Sequence, residues 1–321
     1  MKYIKILICL LLLTVIVSSG GCIELAEHLF PEETTDPAQT AAATVDAETG
    51  EIVFRDFDGN LITMSGEPSS VASLCEISTE IICGLGAGRY ITAMNESSSK
   101  LEGAPISAEV LMDFYSDTNR LIEMAPDIIF YSDNSLSVIA VTVLKNAGLT
   151  VVRIPEKGDI ITAESNIRFI SALMYKDAVG ERMITEMRAD IDRMKIAAEL
   201  VGVRKTVYIE GAREYGAYGV NTIASELCAY AGGDNVYSDR YGEFTVTAAE
   251  ISSKDPDVII ILTKDPENYD TDVFRKRPGL ENMTAVRTKA VYAVDLTLAT
   301  RPTQRITEAL VQIGRALKTV K

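Results

Sequence analysis

From Ile52 onward, short apolar runs rich in β-branched residues alternate with stretches whose apolar positions recur every three or four residues. Around Asp58-Gly59-Asn60 the runs "IVF" and "LITM" flank a turn signal, which predicts a hairpin. Residues 71–74 read as a strand. A polar step follows, then a helix from about Ser78 with Glu80 in its first turn and Gly86 and Gly88 at its end. "YITAM" is a strand, "LIEMAPDIIFY" a helix end, a breaker and a buried strand, and "VIAVTVLKNAGLTVVRIP" a helix, a glycine cap and another strand. Between 160 and 200 the pattern changes, because Ile167, Ile170, Met174, Met183, Met187, Ile191 and Met194 mark one face of long amphipathic helix, with Gly180 as its expected break.

After that helix the first half's order returns. "KTVYIEG" is a strand, "NTIASELCAYAGG" a glycine-ended helix, "TAAEISSKDPDVIIIL" a helix, breaker and strand, "AVYAVD" a strand, and "RPTQRITEALVQIGRALKTV" a final helix. The phrases "APDIIF" and "DPDVIIIL" occupy matching places in the two halves. The fold expected is α/β: two Rossmann-like lobes with central, mostly parallel sheets, joined by one long helix, with a ligand cleft between them. The divisions are 52–158 for the first lobe, 159–200 for the connecting helix and 201–321 for the second lobe.

The start of the chain reads as an address. Lys2 and Lys5 precede an apolar run at 6–17, too short for the roughly 20 residues of a membrane span. "SSGGC" then supplies small residues before Cys22, so 1–21 is expected to be a signal peptide and Cys22 a lipid acceptor, although Ser19 stands where such signals usually carry Leu. Residues 22–51, rich in Thr, Ala, Pro and acids, are expected to be a flexible tether outside the membrane. Cys75 and Cys83 flank the first helix, too far apart for a disulfide, so no disulfide framework is expected.

Composition narrows the chemistry. With 47% hydrophobic and 24% charged residues the chain can bury a sizeable core, and a net charge of −15 disfavours nucleic acid as a partner. The one histidine, His28, lies in the tether, so imidazole-dependent triads and zinc sites have no base or ligand in the folded part. There is no GxxxxGK[ST] phosphate loop, and "GLGAG" at 84–88 ends a helix rather than opening one. Cys75 begins a helix but has no evident base. The expectation is therefore a binding protein and not an enzyme, a monomer with no resident metal or cofactor. Its cleft walls would be the polar loops that follow the strands: Cys75-Glu76, Asn95-Glu96-Ser97, Tyr131-Ser132-Asp133, Arg213-Glu214-Tyr215, Arg240-Tyr241-Gly242 and Thr300-Arg301.

The ordered set "EPSSVASLCEISTEIICGLGAGRYITAM", "LIEMAPDIIF", "LKNAGLTVVRIP", "VYIEG", "NTIASELCAYAGGDNVY", "DPDVIIIL", "AVRTKAVYAVD" and "RPTQRITEAL" resembles the substrate-binding proteins of iron-complex and cobalamin importers, the class with a single backbone helix. The resemblance runs from about Ile52 to Lys321. It implies capture of a metal chelate (ferric siderophore, haem or corrinoid) and delivery to an ABC permease and its ATPase. Carried over by position, the first lobe would present Cys75, Glu76, Asn95, Tyr115 and Tyr131 to the ligand, and the second Arg213, Tyr215, Tyr241 and Arg301. Arginine forks suit carboxylates or catecholates, and tyrosines suit flat or aryl groups. Of the tails that follow the two Pro-Asp strands, Tyr131 is the one expected to touch the ligand. The family's docking glutamates fall here on Asn119 and Ala249, leaving Glu123 and Glu250 nearby but out of register. Two other readings stay open: an exported sensor or adhesion module of the same fold, and a bare metal-ion receptor, which the missing histidines disfavour. The sequons at Asn95 and Asn282 are read as chance occurrences.

Overall fold

The computed structural model describes residues 44–45, 52–112 and 116–319. The leader, Cys22, His28, most of the tether and Tyr115 lie outside the described residues. Within the stretch read as tether, β1 (Thr44–Val45) pairs antiparallel with β2 (Ile52–Arg55), which forms a hairpin with β3 (Leu61–Met64). The hairpin turn is held by Asp56, whose carboxylate accepts from the Asp58 N–H (2.9 Å), the Asn60 N–H (2.7 Å) and the Asn60 amide (2.9 Å). Gly59 supplies the left-handed residue such a turn requires, at φ +82°.

The first lobe runs β4 (Val71–Ser73), α1 (Glu76–Gly84), β5 (Ile91–Asn95), α2 (Glu96–Ser99), β6 (Glu109–Leu111), α3 (Ser116–Met124), β7 (Ile128–Tyr131), α4 (Val138–Asn146) and β8 (Val151–Arg153). Its five strands are all parallel, in the order β6-β5-β4-β7-β8. Helix α1 begins at Glu76, two residues before the expected start, because the Ser78 and Thr79 hydroxyls fold back onto the Cys75 carbonyl at 2.9 and 3.2 Å. Glu80 consequently sits in the second turn and is buried.

Two helices connect the lobes, α5 (Ile160–Leu173) and α6 (Asp177–Val201). The break falls at residues 174–176, where Tyr175 takes a left-handed φ of +55°, and not at Gly180. Gly180 lies inside α6 because α5 passes so close that a Cβ there would fall 2.2 Å from the Ser171 hydroxyl oxygen. The 25 residues of α6 extend about 37 Å at 1.5 Å per residue.

The second lobe runs β9 (Lys205–Glu210), β10 (Gly216–Tyr218), α7 (Ile223–Tyr230), β11 (Gly233–Asn235), β12 (Glu243–Thr245), α8 (Ala248–Lys254), β13 (Val258–Thr263), α9 (Asp272–Arg275), α10 (Thr284–Arg287), β14 (Val291–Asp295), α11 (Leu296–Thr300) and α12 (Ile306–Thr319). Its sheet is mixed, in the order β12-β10-β9-β13-β14 with β11 parallel beside β9. Strands β9, β13 and β14 are parallel; β10 and β12 are antiparallel. Central β13 is buried from Val258 to Leu262, so its continuous apolar run serves both faces.

The echoed Pro-Asp phrase proves to be one device used in both lobes. Ala125 (φ +44°) and Asp255 (φ +39°) turn the chain out of the preceding helix. The buried prolines follow, and each aspartate then clamps the start of the neighbouring strand. Asp127 accepts from the N–H groups of Ser69 and Ser70 and the Ser69 hydroxyl at 2.8–3.0 Å. Asp257 accepts from the N–H and hydroxyl of Thr206 at 2.9 Å each. The clamps hold β7 against β4 and β13 against β9, the central pair of each sheet.

Asp127→Ala and Asp257→Ala are each expected to lower the unfolding free energy by about 1–2 kcal/mol in a urea titration. Burial pushes the Asp127 carboxyl up, but the Ser69 and Ser70 donors outweigh it and hold the group below its ordinary value. Its contribution is then present above the unfolded value of about 3.9 and lost as pH falls through the folded one. Asp127→Asn should therefore flatten the acid limb of the stability–pH curve below about pH 4.

Candidate functional site

In an open parallel sheet the chain reverses its winding direction at one strand pair, and the loops leaving that pair diverge to leave a crevice. In the first lobe this point is β4/β7, where Cys75-Glu76 and Ser132 emerge; in the second it is β9/β13, where Gly211-Ala212 and Lys264 emerge. Both points open toward a cleft of about 520 Å³ between the lobes, lined by Asn134, Glu156 and Lys157 on one side and by Tyr218, Asn221, Thr222 and Glu243 on the other. A cavity of about 200 Å³ adjoins it at the first switch point, with Cys75, Glu76, Ser132, Glu156 and Arg301. Another of about 390 Å³ adjoins it at the second, with Glu210, Glu214, Lys264, Tyr269 and Arg277. Leu296, the first residue of α11, lines all three.

The lobes are pinned beside this cleft by buried polar contacts. The Glu80 carboxylate on α1 accepts from the Arg301 guanidinium and from the Thr303 hydroxyl (2.9 Å), and the Glu80 carbonyl accepts from the Gln304 amide (3.1 Å). Arg305 stands 3.7 Å away and Glu76 lies 3.6 Å from Arg301. Buried Asn166 on α5 donates to the carbonyls of Pro155 (3.0 Å) and Pro302 (3.3 Å), joining the end of one lobe to the other. The Ile223 N–H donates to the Gly158 carbonyl at 3.1 Å.

A second buried pair lies under the other switch point. Arg277 forks onto Glu210 through two bonds of 2.7 Å, while its Nε stands 3.4 Å from Glu214. Glu210 also accepts from the Tyr208 hydroxyl and the Tyr215 N–H, both at 3.2 Å. The guanidinium stacks 4.6 Å from the Phe274 ring and 5.2 Å from the Tyr215 ring. An acid ending the apolar run "VYIE" was a legible signal that a buried charge there needs a partner; its partner 67 residues away was not.

Of the residues expected at the site, Cys75, Glu76 and Arg301 come together in the first-lobe cavity. Burial pushes the Cys75 thiol up to about 11, against the Ser78 hydroxyl 3.2 Å away, so it is protonated at neutral pH. Cys75, Cys83 and Cys228 are free thiols. Asn95 caps α2, accepting from the Ser98 N–H at 3.0 Å, and lines a cavity of about 260 Å³ above β4, β5 and β6 that shares Asn134 with the main cleft. Tyr131 is 8% exposed and packs with Ala72, Leu74 and Leu121 in the outer apolar layer. Strand parity sends it there: Ile128 and Phe130 face the inner core, Ile129 and Tyr131 the outer one. Arg213 lines a small cavity with Tyr218 and Glu243 at the cleft edge, Tyr215 packs against Arg277, and Tyr241 projects into solvent at 81% exposure. Sequence reasoning did not pick out Asn134, Glu156, Lys157, Asn221, Thr222 or Leu296. The breaker "PEKGD" and the cap signal "NT" mark two of these loops, but nothing local says that they face each other.

A two-lobed α/β body whose switch points share one cleft has the architecture of a solute-binding protein. Residues 71–297 match the family model for periplasmic binding proteins, and the chain belongs to that family. An uncharacterized ABC transporter substrate-binding lipoprotein of Bacillus subtilis, YvrC, is 22% identical over 272 residues, covering 83% of this chain and 85% of the relative. A cobalamin-binding protein of Halobacterium salinarum is 26% identical over 272 residues, covering 81% and 72%. A solved structure from Staphylococcus epidermidis, described as a possible iron-binding periplasmic solute-binding protein, superposes with a TM-score of 0.71 at 21% identity, over 78% of this chain and 99% of that one. At that identity the likeness shows the fold.

Removing one partner of a buried ion pair leaves the other charged and dry. Glu80→Ala is therefore expected to cost about 3–5 kcal/mol of stability. The double change Glu80→Met with Arg301→Leu should recover much of that loss, measured by urea unfolding of both variants.

Proposed function

We propose that this chain is an extracytoplasmic receptor that captures a metal chelate of the ferric-siderophore, haem or corrinoid kind and, as a monomer, hands it to an ABC permease and its ATPase. The observation that carries this reading is the cleft between the two switch points. Its lining offers neutral hydrogen-bonding groups (Asn134, Asn221, Thr222) beside the apolar Leu296, which address the organic shell of a chelate rather than a bare ion. Its volume of about 520 Å³ is in the range of small-molecule sites. The cobalamin-binding name of the Halobacterium relative points the same way.

The permease contacts are assigned to α3 and α8, the helices that precede the two Pro-Asp strands. Glu123 is exposed at the end of α3, 3.3 Å from Arg120. Glu250 lies in the first turn of α8, where its carboxylate accepts from the Thr247 N–H at 2.7 Å and remains half exposed. The "SSGGC" stretch and the lipoprotein relative support a lipid anchor at Cys22.

Titration calorimetry of the purified protein with cyanocobalamin, haemin and a ferric siderophore is expected to give a Kd of about 1 μM or tighter for at least one of them; binding to none overturns the receptor reading. Cys22→Ser is expected to move the protein from the membrane fraction to the soluble one, and continued membrane retention overturns the anchor.

A further inference from the structure

The two least exposed cations that line the cleft system, Arg301 and Arg277, are already matched by acids, and so is the exposed Lys157. Arg301 is held by Glu80 and Glu76, Arg277 by Glu210 and Glu214, and Lys157 by Glu243 at 3.2 Å. Glu156, which lines both the main cleft and the first-lobe cavity, is bonded by the Asn134 amide at 2.5 Å and has no cation within ion-pair distance among the described residues. The cations left over, Arg213 and Lys264, are exposed at the edge beside Glu214 and Asp265, where water and salt screen them.

An anionic chelate needs unmatched forks or ammonium groups at the place where it loses water. The unmatched Arg213 and Lys264 are exposed, so away from them it would have to displace a carboxylate from Arg301 or Arg277, leaving that acid unpaired, or lie against Glu156 with like charge. A neutral chelate meets no such cost. The amides of Asn221 and Asn134 can exchange hydrogen bonds with an amide-bearing rim while Leu296 takes an apolar face; the hydroxyls of Thr222 and Thr300 already donate to the carbonyls of Gly219 and Leu296 and can offer the rim only an acceptor.

We propose that this cleft selects a chelate of zero or positive net charge with an amide-bearing rim over one that carries carboxylates or catecholates, and that Glu156 and Glu243 set this preference. The proposal rests on the receptor reading above and narrows its substrate class. Corrinoids and neutral ferric trihydroxamates share the required chemistry; haem, with its propionates, and ferric catecholates do not.

The test is calorimetric titration of the full chain with four probes: cyanocobalamin, a neutral ferric trihydroxamate, haemin and a ferric catecholate. At least one neutral probe is expected to bind about tenfold or more tighter than both anionic ones, with an affinity that changes little between low and high salt. The two neutral arms tell a corrinoid from a hydroxamate. The double variant Glu156→Gln/Glu243→Gln removes two negative charges and frees Lys157. It should tighten haemin or ferric catecholate binding about tenfold and so narrow the ratio between the neutral and the anionic probes. Unchanged circular dichroism and thermal midpoint establish that the variant is folded, and Lys157→Gln, alone, should weaken the anionic probes further. A wild-type preference for an anionic chelate, or a folded double variant with unchanged selectivity, overturns the charge proposal alone. Binding of none of the four overturns the receptor reading and this proposal together.

Discussion

The buried carboxylate of Glu80 is the constraint around which the two lobes are arranged. It stands on the first helix of one lobe and, among the described residues, is hydrogen-bonded by Arg301 and Thr303 and paired with Arg305, all from the far end of the chain. A charge so placed cannot be left dry and unpaired, so the lobes cannot part without exposing it to water or losing its partners. Asn166 adds a neutral version of the same link between Pro155 and Pro302. The cleft beside these contacts thus has walls of fixed orientation, and the loops that line it can differ in chemistry without disturbing the frame.

Inside each lobe the frame comes from a shorter-range device. A helix ends at a left-handed residue, a proline follows, and an aspartate clamps the start of the neighbouring strand. The clamp sets the register of the central strand pair, and with it the direction in which the switch-point loops leave the sheet. Glu210 and Arg277 then stabilise the turn at 211–215 from below, through the Tyr215 N–H and the stacked rings. Lobe orientation, strand register and turn geometry together place Leu296 where the three cavities meet.

The elements were legible wherever a period was sustained. The Pro-Asp strands, the glycine-ended helices and the hairpin at 58–60 all follow from local patterning. The helix break was misplaced because a glycine inside an apolar stripe reads as a breaker, whereas Gly180 is small for the sake of Ser171 on the neighbouring helix. Tyr131 looked like a cleft residue because it ends a strand; strand parity turns it to the outer layer. Arg301 looked like a free anion binder for a similar reason, since its partner Glu80 lies in a distant segment.

What the amino-acid order determined by itself was the alternation of strand and helix, the repeat of one lobe in the other, and the lack of any histidine from position 52 onward, all of which depend on neighbours within a few residues or on composition. What the tertiary structure decided was which polar side chains share the cleft and which of its charges are already matched. Those depend on groups brought within hydrogen-bond distance across 221 and 223 positions, as Glu80 is with Arg301 and Thr303, and no local period carries that information.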